Sequence, residues 1–267
     1  MYQKNKDKYI IDLFCGCGGF AEGFERSGYQ SYLSADFDYW ACETFKSRFK
    51  KSKVINEDIT SDKFKAILKK QTKGVKIDGV VAGLPCQSFS SVGRAQDKFS
   101  MAKDKRNYFY KDFFECLKII KPNFFVFENV RGILSAKPNG VKIFDNILEL
   151  SKKLGYVTLD DTSKMVFDTS EYGVPQVRKR VFVIGVKKKY SSLIPKIYDD
   201  LINIHKDKKK FTVKDAISDL PPLKPGEGVE KIRVLKKNKN DYLKKITNSK
   251  FIYNHVARNH NEKDRQR

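Results

Sequence analysis

The stretch that decides the fold spans residues 9–20 and reads YIIDLFCGCGGF. Its first six residues, ending at Phe14, are mostly apolar and are typical of a buried strand. The glycines that follow, Gly16, Gly18 and Gly19, allow a tight turn and let backbone N–H groups approach a ligand at the start of the next helix. This order of elements favours the first unit of a nucleotide-binding α/β sheet.

Strand and helix patterns alternate downstream of this unit. Strict alternation indicates a mostly parallel, doubly wound sheet with helices on both faces. We therefore expect a Rossmann-like α/β domain over residues 1–188 and a basic, less regular extension over residues 189–267. The further strands are predicted at residues 30–35, 54–55, 77–82, 124–127, 156–159 and 181–186, and the helices at residues 20–26, 39–49, 62–70, 108–120 and 141–154.

The composition favours a globular protein with a polyanionic partner. Hydrophobic residues make up 40% of the 267 residues, which argues against wholesale disorder. Lysine and arginine total 54 against 32 acidic residues, a net charge of +22. A surplus of this size points to nucleic acid before a membrane surface, with a solvated lysine-rich surface as the alternative.

The cysteines and histidines predict neither disulfides nor a metal site. The five cysteines show no paired spacing, and no histidine lies at ligand spacing from Cys15 and Cys17. Cys42 and Cys116 fall in helical patterns and are expected in the core. The charged N-terminus and the lack of a long apolar run exclude a signal peptide and a membrane anchor, so a cytoplasmic location is expected.

Acidic residues follow the second and third strands. Asp36 closes the second strand about twenty residues after the glycines, where an acid would accept ribose hydroxyls. Asp58 follows the third strand and is placed to accept from an exocyclic amine, while Phe14 and Phe37 offer apolar faces to an adenine. The pattern predicts a nucleoside-containing cofactor. It does not separate a nicotinamide from an adenosyl cofactor, and a purely structural glycine turn is the remaining alternative.

Cys86 stands directly behind Pro85, after the apolar run of residues 77–82. Pro85 fixes its own φ and disfavours helix at Leu84, so the strand must end there. Cys86 is therefore expected on a rigid loop at a strand's carboxyl end, where open α/β sheets place their chemistry. A buried core cysteine is the alternative, but turn formers and polar neighbours favour a nucleophile.

Glu128 and two arginines complete the candidate constellation. Glu128 follows the apolar residues 124–127 and is expected at the same sheet edge as Cys86, where partial burial would let it hold a proton near neutrality. Arg178 and Arg180 lie two residues apart, on one face of an extended segment, and suit a phosphate or a base carbonyl oxygen. A surface carboxylate and solvated basic residues are the alternatives.

Taken in order, these motifs resemble the DNA (cytosine-5)-methyltransferases that use S-adenosyl-L-methionine. The resemblance covers roughly the first 190 residues. It is carried by residues 12–20, Asp36, residues 57–59, residues 85–87, residues 128–130 and residues 176–180.

The resemblance implies a role for each chemical group. The thiolate of Cys86 would add to carbon 6 of a cytosine flipped out of double-stranded DNA, which activates carbon 5. Glu128 would bind ring nitrogen 3 and the exocyclic amine, while Arg178 and Arg180 would hold the cytosine oxygen and the flanking backbone. S-adenosyl-L-methionine would be bound by Phe14, Gly16, Gly18, Gly19, Asp36, Phe37, Asp58, Ile59 and Pro85.

The chain departs from the family pattern in two places. Residues 107–110 read NYFY where the family usually has Gly-x-Leu-Phe, which puts a contact to the cofactor in doubt. The resemblance also stops before the family's target-recognition region. We therefore expect a second polypeptide that supplies this region, or a truncated gene product.

The leading interpretation is a DNA cytosine methyltransferase of a restriction-modification system. A methyltransferase acting on transfer RNA would share the Cys86 and Glu128 motifs. A catalytically silent nucleic-acid-binding chain would also explain the charge. A nicotinamide dehydrogenase would use the glycines and Asp36 but would leave Cys86 and Glu128 without a role.

Overall fold

The protein is described by a computed structural model over residues 8–85, 104–204, 209–233, 240–247 and 249–261. Cys86 and most of the loop 88–105, which was expected to close over the target base, lie outside these residues. The described chain forms two compact units, one of residues 1–167 and 179–203 and one of residues 168–178 and 204–267. The expected functional boundary at residue 188 stays a prediction.

The first unit is built on one twisted sheet of eight strands in the order β3-β2-β1-β4-β5-β8-β6, with β7 paired to β8. The strands from β3 to β5 are parallel, whereas β8 runs antiparallel to β5 and β6. Its strands are β1 (Tyr9–Leu13), β2 (Gln30–Asp36), β3 (Lys53–Asn56), β4 (Gly79–Gly83), β5 (Phe124–Val130), β6 (Tyr156–Thr158), β7 (Val166–Asp168) and β8 (Lys179–Lys187).

Helices connect these strands across both faces of the sheet. Two of them begin at a side-chain cap that the sequence supplies: Asp38 accepts from the Ala41 N–H at 2.8 Å, and Ser61 accepts from the Phe64 N–H at 3.0 Å. The helices are α1 (Gly19–Arg26), α2 (Tyr39–Arg48), α3 (Asp62–Thr72), α4 (Phe109–Ile120), α5 (Ile143–Lys153) and α6 (Leu193–Asn203).

Aromatic rings fill the core between α4 and the centre of the sheet. Phe113 packs edge-on against Phe125 and Phe127, with ring centroids 5.8 and 5.6 Å apart. All three side chains are fully buried. Because β5 alternates these rings with residues on its other face, its position between β4 and β8 is set by the aromatic packing.

The second unit contains a two-stranded antiparallel sheet and two short helices. β9 (Gly228–Arg233) pairs with β10 (Phe251–Val256), and α7 (Val213–Ile217) and α8 (Asp241–Ile246) complete the unit. Asn240 caps α8 and also donates to the Asp215 carbonyl at 2.8 Å, which ties the two helices together. Side-chain capping therefore contributes much of the order in a unit that has few buried apolar residues.

The predicted alternation and α/β class are confirmed, and Cys42 and Cys116 are fully buried as expected. One feature differs. β5 continues to Val130, because β8 pairs with it over its whole length, so Glu128 lies inside a strand and not after one. The extension, which was expected to be less regular, contains α6 and the antiparallel strand pair β9–β10. Within the described residues, no helix is long and apolar enough to cross a membrane.

Gly185 of β8 tests the packing of the sheet. A β-carbon at this position would overlap the Phe125 ring, so we expect Gly185→Ala to destabilise the protein by about 1–3 kcal/mol. That loss corresponds to a melting temperature several degrees lower in a thermal unfolding experiment. Gly23→Ala in α1, where a β-carbon meets nothing within 4 Å, is the control and should be neutral or stabilising. Equal melting temperatures for the two variants would contradict this packing.

Candidate active site

The turn from β1 into α1 has an unusual backbone. Phe14, Gly16 and Gly18 all have positive φ, at 54°, 51° and 92°. The Gly18 N–H donates to the Cys15 carbonyl at 2.9 Å, and a β-carbon on Gly18 would overlap the Phe49 ring. Gly18 is thus required both by its dihedral angles and by the close approach of α2's C-terminal end.

Asp36 links the ends of the first two strands. Its Oδ2 accepts from the Gly16 N–H at 2.9 Å, and its Oδ1 accepts from the Asp38 N–H at 3.0 Å. Asp36 is buried at 8% exposure, and its carboxylate oxygens retain lone pairs for a further donor. The structure therefore brings together Gly16 and Asp36, which the sequence places twenty residues apart.

Asp12 is a functional candidate that the sequence reasoning did not single out within the motif. It is fully buried, and its Oδ2 accepts from the Ala21 N–H at 3.2 Å. Its Oδ1 has no hydrogen-bond partner among the described residues. Burial, together with the nearby Asp36 charge, raises the pKa of Asp12 well above its usual range. The sequence signal was an acid inside a continuous apolar strand.

The two aromatic faces predicted beside the glycine turn differ in surroundings. Phe14 stacks on Phe109 with ring centroids 5.7 Å apart, whereas the Phe37 side chain is 73% exposed. Phe109 belongs to the segment that departs from the family pattern, and its ring supports Phe14 directly. Asp58 is exposed and accepts from Thr60 at 2.9 Å.

Ile59 and Arg48 show two further ways in which the turn is framed. Ile59 is 2% exposed, so its contribution to a ligand would come from its main chain. Arg48, on α2, donates to the Cys17 carbonyl at 2.7 Å and to Glu22 at 2.9 Å. Nothing in the spacing of the sequence indicated Arg48, because its partners lie in the turn before α1 and on α1 itself.

Glu128 and Arg180 form an ion pair on adjacent strands. Arg180 Nε lies 2.7 Å from Glu128 Oε1, and the side chains are 16% and 22% exposed. The pairing exists because antiparallel β8 places Arg180 opposite Val130, two residues from Glu128 along β5.

Asn129 ties the end of β5 to the segment that leads to Cys86. It is 1% exposed, and its Nδ2 lies 3.4 Å from the Leu84 carbonyl. In the parallel register of β4 and β5, Gly83 pairs with Glu128. Pro85 ends the described part of this segment, and Cys86 follows it in the chain.

Arg178 lies in the second unit, and hydrogen bonds of its backbone hold its position. Its N–H lies 3.3 Å from Asp168 Oδ1, and its carbonyl accepts from the Thr169 N–H at 3.0 Å. Arg178 precedes β8, which begins at Lys179. A shared action of Arg178 and Arg180 on one ligand stays a prediction. Across the described ranges, no cluster of three or more His, Cys, Asp or Glu side chains is arranged to hold a metal ion.

Comparison with known proteins decides the family. The family model for C-5 cytosine-specific DNA methylases matches residues 9–266. The chain belongs to this family. It is 38% identical over 256 residues to the type II methyltransferase M.DdeI of Desulfomicrobium norvegicum, covering 95% of this chain. It is also 31% identical over 231 residues to the type II methyltransferase M.AquIA of Picosynechococcus, covering 82% of this chain.

A solved structure agrees with this assignment. A chain described as a DNA modification methyltransferase encoded within an Escherichia coli prophage superposes with a TM-score of 0.68 at 29% identity, over 90% of this chain. This chain spans 58% of M.DdeI and 64% of the prophage chain, but 91% of M.AquIA. The α/β fold expected from the sequence is thus confirmed by a solved relative.

The methyl donor of this family is S-adenosyl-L-methionine, and the residues of the turn fit such a cofactor. A β-carbon on Gly16 or Gly19 would meet nothing within 4 Å, so open space adjoins the start of α1. The lone pairs of Asp36, which accepts from the Gly16 N–H, provide acceptors beside this space. Phe37 supplies an exposed ring for an adenine. The individual cofactor contacts of these residues stay predictions.

Substitutions at Gly18 and Gly19 distinguish the effect of the turn's shape from the effect of ligand contact. We expect Gly18→Ala to lower the melting temperature and to weaken binding of S-adenosyl-L-homocysteine at least tenfold, because the new methyl group forces α1 away from Phe49. Calorimetric titration measures the binding. Gly19→Ala, which meets open space, should keep the melting temperature and change only the binding. A Gly18→Ala variant with unchanged stability and affinity would refute this account of the turn.

Proposed function

We propose that the chain transfers a methyl group from S-adenosyl-L-methionine to carbon 5 of cytosine in duplex DNA. The observation that carries the proposal is the pairing of Gly83 with Glu128. This register brings the acid beside the strand that leads to Cys86. The ion-paired Arg180 stands on the next strand, and the glycine turn ends β1 on the other side of β4. An acid, an arginine and a cofactor turn therefore share the carboxyl edge of the sheet.

Carbon 5 of cytosine is too weak a nucleophile to take a methyl group unaided. The enzyme must therefore supply a nucleophile of its own that activates the ring. The Cys86 thiolate would donate an electron pair to carbon 6, and the electrons of the 5,6 double bond would move toward nitrogen 3 and carbon 5. S-adenosyl-L-methionine, when bound, supplies an electrophilic methyl carbon to this activated position, and the bond from that carbon to the sulfonium sulfur breaks to leave S-adenosyl-L-homocysteine. Loss of the carbon 5 proton to a base, with cleavage of the bond between sulfur and carbon 6, would restore both the ring and the thiolate.

Glu128 would stabilise the charge that develops on the ring. Its carboxyl group would bind nitrogen 3 and the exocyclic amine as electrons move onto the ring. Arg180 is in contact with the same carboxylate, so its guanidinium would orient the acid and turn its remaining donors toward the cytosine oxygen. In this proposal Arg178, two residues before Arg180 in the chain, would hold the backbone that flanks the cytosine.

The target base would have to leave the duplex to reach these groups. A stacked cytosine exposes neither face to a thiolate, so base flipping is part of the proposal. We also propose that the enzyme serves a restriction-modification system, which is supported by the two relatives described as type II methyltransferases.

A second polypeptide with the target-recognition region stays a prediction. The family's longer members, such as M.DdeI, extend well beyond the part that this chain matches, whereas M.AquIA is matched over 91% of its length. M.AquIA, which is matched over nearly its whole length, supports the proposal of a catalytic chain of comparable size.

Methyl transfer and covalent trapping test the proposed function. With tritiated S-adenosyl-L-methionine, and with the polypeptide encoded downstream added if the chain alone is inactive, label should enter cytosine of duplex DNA and not transfer RNA. DNA carrying 5-fluorocytosine at the target should form a denaturation-resistant complex, because fluorine cannot leave as a proton does. Cys86→Ala should abolish that complex, and Cys17→Ala, which changes an exposed cysteine, is its control. Labelling of transfer RNA alone, or trapping that persists in Cys86→Ala, would refute the proposal.

Glu128→Gln tests the acid. The amide keeps the shape but cannot share a proton in the same way, so we expect single-turnover methylation to slow by roughly two to four decades. Glu149→Gln removes an exposed carboxylate that pairs with Lys153 and should leave the rate unchanged. A loss below tenfold for Glu128→Gln would mean that the carboxyl group only positions the base.

A further inference from the structure

Lysines form a band along the edge of the sheet that lies opposite the candidate active site. Hydrogen bonds join this edge across four strands. The Asp78 N–H donates to the Tyr9 carbonyl, the Asn123 N–H to the Asp78 carbonyl and the Lys187 N–H to the Asn123 carbonyl, at 2.8, 2.8 and 2.9 Å. β6 begins at the same edge, since Tyr156 pairs with Lys187. This edge, where β1, β4, β5 and β6 begin and β8 ends, is called the amino edge.

The described segments that enter β1, β4 and β5, together with the end of β8 and the residues that follow it, contribute lysine. All the loop lysines are exposed except Lys187, which is half-buried and donates to the Lys121 carbonyl at 2.8 Å. We refer to them as the amino-edge lysines, and they are Lys8, Lys73, Lys76, Lys121, Lys187, Lys188 and Lys189.

Helix dipoles explain only part of this charge. Cations are favoured in the last turn of a helix, and α3 and α5 end in lysine pairs at this edge. The amino-edge lysines lie in the loops beyond those helix ends. The effect of the dipole falls off within the last turn, so it does not account for lysines such as Lys76 and Lys188.

Few carboxylates neutralise the band. Among the described residues of these loops, Asp78 is the single acid, and it already accepts from the Tyr9 N–H at 3.2 Å. Lys76 lies 3.6 Å from it. Within the described chain, Lys73, Lys121 and Lys188 have no carboxylate within ion-pair distance.

At the carboxyl edge of the same unit, three basic residues are each paired with an acid: Lys63 with Glu57, Arg106 with Asp104 and Arg180 with Glu128.

The dimensions of the band suit a duplex. Neighbouring strands lie about 4.8 Å apart, so the four intervals from β1 to β6 span about 19 Å. At 3.4 Å per base pair, that length faces about six base pairs of B-DNA. We propose that the amino edge binds the phosphate backbone of duplex DNA without sequence preference, as a DNA-contacting surface separate from the active site.

The proposal goes beyond the proposed function, and only its biological use rests on it. Electrostatic binding to phosphates needs no base contacts, because it comes from counterion release. A methylase that holds one DNA segment at the amino edge while it modifies another would raise the local concentration of target sites. It would also bridge two duplexes.

A set of charge-neutralising substitutions tests the amino edge. In one variant Lys73, Lys76, Lys121 and Lys188 are changed to Gln. In the control variant Lys214, Lys224, Lys244 and Lys245, exposed lysines of the second unit, are changed to Gln, which removes the same charge. The probe is a fluorescent 30-base-pair duplex of A·T pairs, which contains no cytosine, so the measurement stands whether or not the chain methylates DNA.

We expect the logarithmic salt dependence of binding between 50 and 200 mM salt to become shallower by about 3 to 4 in the amino-edge variant, because each lost phosphate contact contributes about 0.9. The control should lose much less. Co-capture of a second labelled duplex should fall in the amino-edge variant, while methylation at saturating DNA is retained.

Two results would overturn the proposal. Equal losses in both variants would mean that only net charge matters. Unchanged binding of the A·T duplex, with loss of binding to anionic phospholipid vesicles, would assign the edge to a membrane surface instead of DNA.

Discussion

The turn between β1 and α1 depends on the close packing of Gly18 against Phe45 and Phe49. No side chain fits between the α1 N-terminus and these rings, and Gly18 also needs a left-handed backbone. The contact holds α1 and α2 together at the end of β1. Asp36 can then reach the Gly16 N–H. The open space beside Gly16 therefore follows from a packing constraint on the opposite side of the turn.

The second constraint is the direction of β8. A parallel strand beside β5 would present a different end to the carboxyl edge. Because β8 is antiparallel, its first residues face the last residues of β5, and Arg180 meets Glu128 at 2.7 Å. The half-buried position of both groups makes the ion pair more than a surface contact, since solvent screens it less. The same strand ends at Lys187, so β8 connects the proposed catalytic edge with the basic amino edge.

Part of the net charge of +22 lies at the amino edge of the first unit, where the amino-edge lysines are found. Composition indicated a polyanionic partner but not a surface. In the first unit, helix C-termini and the loops that follow them gather at the amino edge, where lysine complements the helix dipoles. Acidic residues such as Asp36 and Glu128 gather at the carboxyl edge, where the ligand chemistry is proposed.

The sequence by itself determined the alternation of strands and helices, because hydrophobic periodicity is local. It also determined the glycine turn and the acid at Asp36, because these follow from spacing along one chain. Only the tertiary structure decided that Arg180 pairs with Glu128 and that Arg48 supports Cys17, since these contacts join distant segments. The antiparallel strand pair β9–β10 and the helices α7 and α8 were missed, because capping side chains and an exposed strand pair leave little apolar periodicity to detect.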